Sequence, residues 1–107
     1  MAIPEKYSHI NFRPTEAMAM NAKRALERRA EVPASQRGMT DTGIARARDI
    51  SNRTEMSPSI VREMNAWFAR HLSTSRHSPK YNQRLKAWQA WNGWGGDAGK
   101  RWAGARS

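Results

Sequence analysis

The stretch Ser57-Pro58-Ser59-Ile60-Val61-Arg62-Glu63-Met64-Asn65-Ala66-Trp67-Phe68-Ala69-Arg70-His71-Leu72 decides the fold class. Ser57 can accept one of the orphan amides in a helix's first turn. Pro58 suits the next position, where a missing N–H is no loss. Apolar residues then recur at Ile60, Val61, Met64, Trp67, Phe68 and Leu72, the three-and-four spacing of one helix face. The spacing predicts a helix over 58–72. A strand would need strict alternation, which neither this stretch nor the rest of the chain shows.

Working upstream, the residues before Ser57 give two more helices. Pro14 and Thr15 suit a start, and Glu16 places an acid at the positive end of the dipole. Met18, Ala22, Ala25, Leu26 and Ala30 then form a stripe, so a helix is predicted over 15–31 and ended by Pro33. Residues 33–40 read as a loop. A shorter helix is predicted over 41–51, capped by Asp41 or Thr42 and lined by Ile44, Ala47 and Ile50, with a connection at 52–56. Residues 1–14 read as an extended N-terminal arm, from which Ile3, Tyr7, Ile10 and Phe12 can pack back.

Downstream, residues 73–81 are polar and turn-rich and read as a loop. A fourth helix is predicted over 82–92 on Leu85, Trp88 and Trp91. Gly93, Gly95 and Gly96 stop it, because glycine takes the left-handed end of a helix without a Cβ penalty. Asp97 is then expected to cap a short terminal helix through Ala103, with Gly99 allowing a close helix approach. The expectation is an all-α chain: a compact cluster of about four helices plus a short C-terminal helix, with 15–107 as one helical domain. Its core is expected to hold Leu26, Ile44, Ile50, Ile60, Met64, Phe68, Leu85, Trp88 and Trp91.

Composition narrows what such a domain can do. The chain has 107 residues, 19 Lys plus Arg against 9 Asp plus Glu, and a formal charge of +10. Arginine supplies 14 of the 19, which favours forked recognition of phosphate or carboxylate over a merely hydrated face. The excess is uneven. Residues 1–56 carry ten basic and seven acidic side chains, a net +3, and residues 57–107 carry nine and two, a net +7. Mean hydropathy is -0.89. No cysteine is present, which excludes disulfides, thiolate zinc sites and cysteine catalysis. No apolar run approaches the roughly 20 residues of a membrane span, and the start lacks the apolar region of a signal peptide.

Chemistry-bearing patterns are few. His9, His71 and His77 form no paired metal-ligand motif, and Asp41, Asp49, Glu55, Glu63 and Asp97 are scattered rather than clustered. His71 closes a helix, where a cation suits the dipole, and His77 lies in a polar stretch. The chain is therefore read as no enzyme, with no metal and no cofactor. The predicted helices 41–51 and 58–72 can be compared with a helix-turn-helix presenting Arg62, Asn65 and Arg70, but the 52–56 connection is longer than that motif's turn. Interleaved aromatic and basic residues carry more: Tyr81, Arg84, Lys86, Trp88, Trp91, Lys100, Arg101 and Trp102 crowd the last third. Cations neutralise phosphates and aromatic faces stack bases.

Four blocks in order carry a resemblance: Thr42-Gly43-Ile44-Ala45-Arg46-Ala47-Arg48-Asp49-Ile50-Ser51-Asn52, Ser57-Pro58-Ser59-Ile60-Val61-Arg62-Glu63-Met64, Trp67-Phe68-Ala69-Arg70-His71 and Trp94-Gly95-Gly96-Asp97-Ala98-Gly99. Over roughly 15–103 the chain resembles a small, mostly uncharacterised domain of tailed bacteriophages, found alone or with capsid-maturation and other virion proteins. The family usually carries a longer acidic, glycine-rich loop after the position of His71; here that loop is short and basic. The resemblance implies a phage setting, in the host cytoplasm or the virion, and supplies no catalytic residue.

The expected function is binding of DNA or RNA through the phosphate backbone with little sequence specificity, by Arg62, Arg70, Arg76, Lys80, Arg84, Lys86, Lys100 and Arg101. Gly95, Gly96, Asp97 and Gly99 are expected to form a structural turn. The alternative is a phage virion or protein-interaction component, including a regulator of a host enzyme, whose basic surface meets an acidic partner. No membrane partner is expected.

Overall fold

A computed structural model describes residues 11–106. Ile3, Tyr7 and Ile10 of the predicted arm lie outside them. The described chain is all-helical: α1 (Glu16–Glu31), α2 (Asp41–Ser51), α3 (Pro58–His71), α4 (Lys86–Gly93) and α5 (Gly96–Arg106). No strand occurs among the described residues.

Local chemistry sets the helix starts. The Thr15 hydroxyl accepts from the Met18 amide at 3.3 Å, and Ser57 accepts from Ile60 at 3.3 Å with Pro58 behind it. For α2 the cap is Thr40, which accepts from the Gly43 amide at 3.1 Å, and not Asp41 or Thr42. Asp41 instead occupies the first turn, where its charge suits the dipole.

Three segments differ from expectation. The turn-rich run after α3 is ordered into helical turns: a π-helical turn over Leu72–Arg76 and a 3-10 turn over Pro79–Gln83. Helix α4 begins at Lys86, not near 82, because Arg84 takes a left-handed backbone with φ 55° that ends the preceding turn. Helix α5 starts at Gly96 and runs to Arg106, beyond Ala103.

The core gathers Met18 and Ala22 of α1, Ala47 and Ile50 of α2, Val61, Met64 and Phe68 of α3, Trp91, Trp94, and Trp102 and Ala103 of α5. Phe12 is fully buried with them, and its carbonyl accepts from the Met56 amide at 2.9 Å. Of the expected core, Ile50, Met64, Phe68 and Trp91 are buried, whereas Leu26, Ile44, Ile60, Leu85 and Trp88 are half-buried. Trp88 keeps one face under the Arg84 guanidinium, 4.7 Å from the ring centre. Arginine thus covers aromatic surface that the small core leaves partly open.

The turn between α4 and α5 holds two glycines at positive φ, Gly95 at 111° and Gly96 at 68°. A Cβ on Gly96 would stand 2.5 Å from Asn21 Nδ2 and 2.8 Å from Asn92 Oδ1. One on Gly99 would stand 2.7 Å from the Trp94 carbonyl oxygen. Asp97 does not cap α5, since it lies inside the helix. Its Oδ1 accepts from the buried Trp91 indole at 2.9 Å and from Arg76 Nε at 3.0 Å, joining α4, α5 and the π turn.

Candidate functional site

The departures after α3 help shape a groove on the surface. The π turn follows α3 directly, the 3-10 turn follows it, and α4 starts at Lys86. Between these turns, α4 and the loop before α2 lies a groove of about 860 Å³.

The far wall is the loop Ser35–Thr40, held to α4 by one buried side chain. Gln89 is completely buried. Its Oε1 accepts from the Gly38 amide at 2.7 Å, and its Nε2 donates to the Gln36 carbonyl at 3.0 Å. Gly38 lies so close to α4 that a Cβ there would stand 2.7 Å from the Lys86 carbonyl oxygen. Met39, next in the wall, is held at φ 71°, a conformation that L-residues with bulky side chains rarely adopt.

Aromatic rings form part of the lining. Trp67 stacks on Trp94 with centroids 5.2 Å apart and on His71 with centroids 4.5 Å apart, both within 20° of parallel. His71 is oriented by a 2.9 Å hydrogen bond between its Nδ1 and the Trp67 carbonyl oxygen. Hydroxyls of Ser35, Thr74 and Ser78 and the cations Arg37, Lys80 and Lys86 complete the lining. Among the described residues no carboxylate lines it. The arrangement can receive an anion beside a flat ring: cations attract the charge, hydroxyls share hydrogen bonds, and an aromatic wall prefers a π-face.

The residues singled out from sequence are dispersed. Lys80 and Lys86 meet at the groove. Arg84 lies on the α1 side, where its carbonyl accepts from Arg28 Nε at 3.3 Å. Arg62 and Arg70 are exposed on α3, and Lys100 and Arg101 are exposed on α5. Arg76 is engaged within the chain. It pairs with Asp97 and lies over the Tyr81 ring at 4.7 Å, and the Asp97 hydrogen bond and charge hold its guanidinium above its ordinary pKa. Burial pushes the Asp97 carboxyl up. The Arg76 and Trp91 hydrogen bonds and the charges of Arg76 and Arg101 outweigh it, leaving the group below the usual carboxylate value.

No protein-family model matches the chain, and no match is found among curated proteins or solved structures. The site's meaning therefore rests on its chemistry. Sequence reasoning missed Arg37 and the pairing of Trp67 with His71. Arg37 sits in a loop with no periodic signal, and Trp67 and His71 are i and i+4 on α3, a spacing shared by any ordinary helix face.

No described helix is long and apolar enough to cross a membrane.

Proposed function

We propose that this chain is a small basic nucleic-acid-binding protein that holds the phosphate backbone with little sequence preference. One observation carries the reading: Arg37, Lys80 and Lys86 converge on a groove whose lining includes no carboxylate among the described residues. Elsewhere some arginines are paired with acids, Arg46 with Glu63 at 3.4 Å and Arg76 with Asp97 at 3.0 Å. Cations gathered without acids create a field that draws a polyanion and releases its counterions on contact. Exposed Arg62, Arg70, Lys100 and Arg101 extend that field over α3 and α5. Binding rather than catalysis is proposed, because among the described residues no carboxylate lines the groove and no hydrogen bond joins one of its hydroxyls to His71, whose Nδ1 is bonded to the Trp67 carbonyl oxygen.

The phage setting enters this proposal through the four sequence blocks alone. It fits a protein acting on nucleic acid in the host cytoplasm or in the virion. An acidic protein partner is the competing reading, and one experiment separates the two. In a gel-shift series with a random-sequence DNA, binding is expected at low salt and should fall by roughly a hundredfold or more between about 50 and 200 mM. An absent shift at low salt, with the helical circular dichroism spectrum intact, would remove the nucleic-acid reading and put the acidic protein partner in front.

A further inference from the structure

Resting on that reading, we infer that the groove takes an unpaired nucleotide, so that the protein prefers single strands over duplex. Three features of the groove point to an exposed base rather than a duplex backbone. The first is depth. A duplex presents its phosphates on a convex surface and keeps its base faces stacked inside, so it can satisfy surface cations but cannot fill a cavity of about 860 Å³. A single strand can turn one base into it.

The second feature is the aromatic part of the lining. Trp67 already carries two near-parallel neighbours, Trp94 and His71. Trp94 is 4 % exposed and belongs to the core, whereas His71 is half-buried at the end of α3. A further ring therefore extends the pile at His71, whose orientation the Trp67 carbonyl fixes in advance. Stacking on a preorganised ring is tolerant of base identity, because every base has a π-face.

The third feature is the chemical make-up of the groove. The rings of Trp67, His71 and Trp94, the hydroxyls of Thr74 and Ser78, and the cations Lys80 and Lys86 line the same groove. Those three kinds of surface match base, sugar and phosphate. Ala87 and Ala90 add only small side chains to the α4 side.

The shared chemistry is an aromatic base joined to a phosphate, and the test separates a strand from a free nucleotide. Fluorescence anisotropy would compare a labelled oligothymidylate with a duplex of equal length at low salt. Wild-type protein is expected to bind the single strand roughly tenfold more tightly, the scale of one stacked base. Ala87→Phe, which fills the groove from a half-exposed position, should weaken single-strand binding more than duplex binding and so erase that difference. His71→Ala should act in the same direction without adding bulk. Equal affinity of the wild type for the two forms, or a preference that survives Ala87→Phe in folded protein, would overturn the groove assignment while leaving non-specific binding standing. Displacement of the oligonucleotide by equimolar thymidine monophosphate would overturn the strand assignment in favour of a free nucleotide. Failure of both DNA forms to bind would instead sink the proposed function itself.

Discussion

Asp97 shows how one side chain is given a different task from the one its sequence position suggests. Following two glycines, it reads as a helix cap; in the structure it sits in the first turn of α5 and accepts from Trp91 and Arg76. Trp91 is completely buried, and an indole N–H without a partner there would carry the penalty of an unmade buried hydrogen bond, about 1–3 kcal/mol. The carboxyl is held below the usual value of 3.8. Its folded pKa lies below its unfolded one. The stability it contributes is thus fully present above pH 3.8 and is lost as the pH falls through the lower, folded value. Asp97→Asn keeps an acceptor for the indole but removes the charge. Urea unfolding followed between about pH 6 and pH 2 should show that part of the acid limb flattened. Because the ion pair is largely solvated, the loss at neutral pH should be about 1 kcal/mol or less. An acid limb identical to that of the wild type would show that Asp97 does not couple folding to pH.

At the scale of elements, Gln89 is what turns a loop into a wall. It ties Gly38 and Gln36 to α4 from a fully buried position. Gln89→Leu keeps much of the volume but strips partners from the buried Gly38 amide. Chemical denaturation should register a loss of about 1–3 kcal/mol. Hydrogen exchange should quicken at Gly38 while the amides of α3 stay protected; uniform acceleration would mean that Gln89 supports the whole fold rather than the wall. What the sequence made legible follows the same division between local and distant causes. The starts of α1 and α3 were readable because Thr15 and Ser57 act within their own first turns. The start of α4 was not. The left-handed Arg84 has no glycine to announce it, and its carbonyl accepts from Arg28 and Gln89, neighbours supplied by the tertiary fold. The turns over 72–83 carry no apolar period, although they bury Ser75. The groove was legible only in Lys80 and Lys86, since Arg37 and the Trp67–His71 pair come from stretches distant from them in sequence. Gln89 reads as a polar residue beside an apolar stripe, and nothing in its neighbours in sequence marks it as buried.

At the scale of the whole molecule, charge separates two kinds of arginine and lysine. One kind is engaged inside the chain and the other faces outward, and salt dependence distinguishes them. Each cation that neutralises a phosphate displaces counterions, so losing it lowers the slope of log affinity against log salt by about one unit. Lys80 and Lys86 line the groove with Arg37, so Arg37→Gln, Lys80→Gln and Lys86→Gln should each lower the slope by about one unit. The two lysine variants should leave stability near that of the wild type, whereas Arg37→Gln also gives up the 3.1 Å hydrogen bond from Arg37 Nε to the Val32 carbonyl oxygen. Arg76→Gln should do the reverse. Its guanidinium is bonded to Asp97 and covers Tyr81, so the slope should hold while thermal stability falls. Lys23 and Arg24, exposed on α1 and absent from the groove lining, provide the reference, and Lys23→Gln with Arg24→Gln should change the slope less than the groove variants do. Salt titrations by anisotropy on one DNA would measure the whole set. If Arg76→Gln lowers the slope as much as Lys86→Gln, the Asp97 pair opens on binding and Arg76 reaches phosphate. If the groove variants leave the slope untouched while the α1 pair lowers it, the polyanion lies along α1 instead, and the convergence of Arg37, Lys80 and Lys86 has no part in holding it.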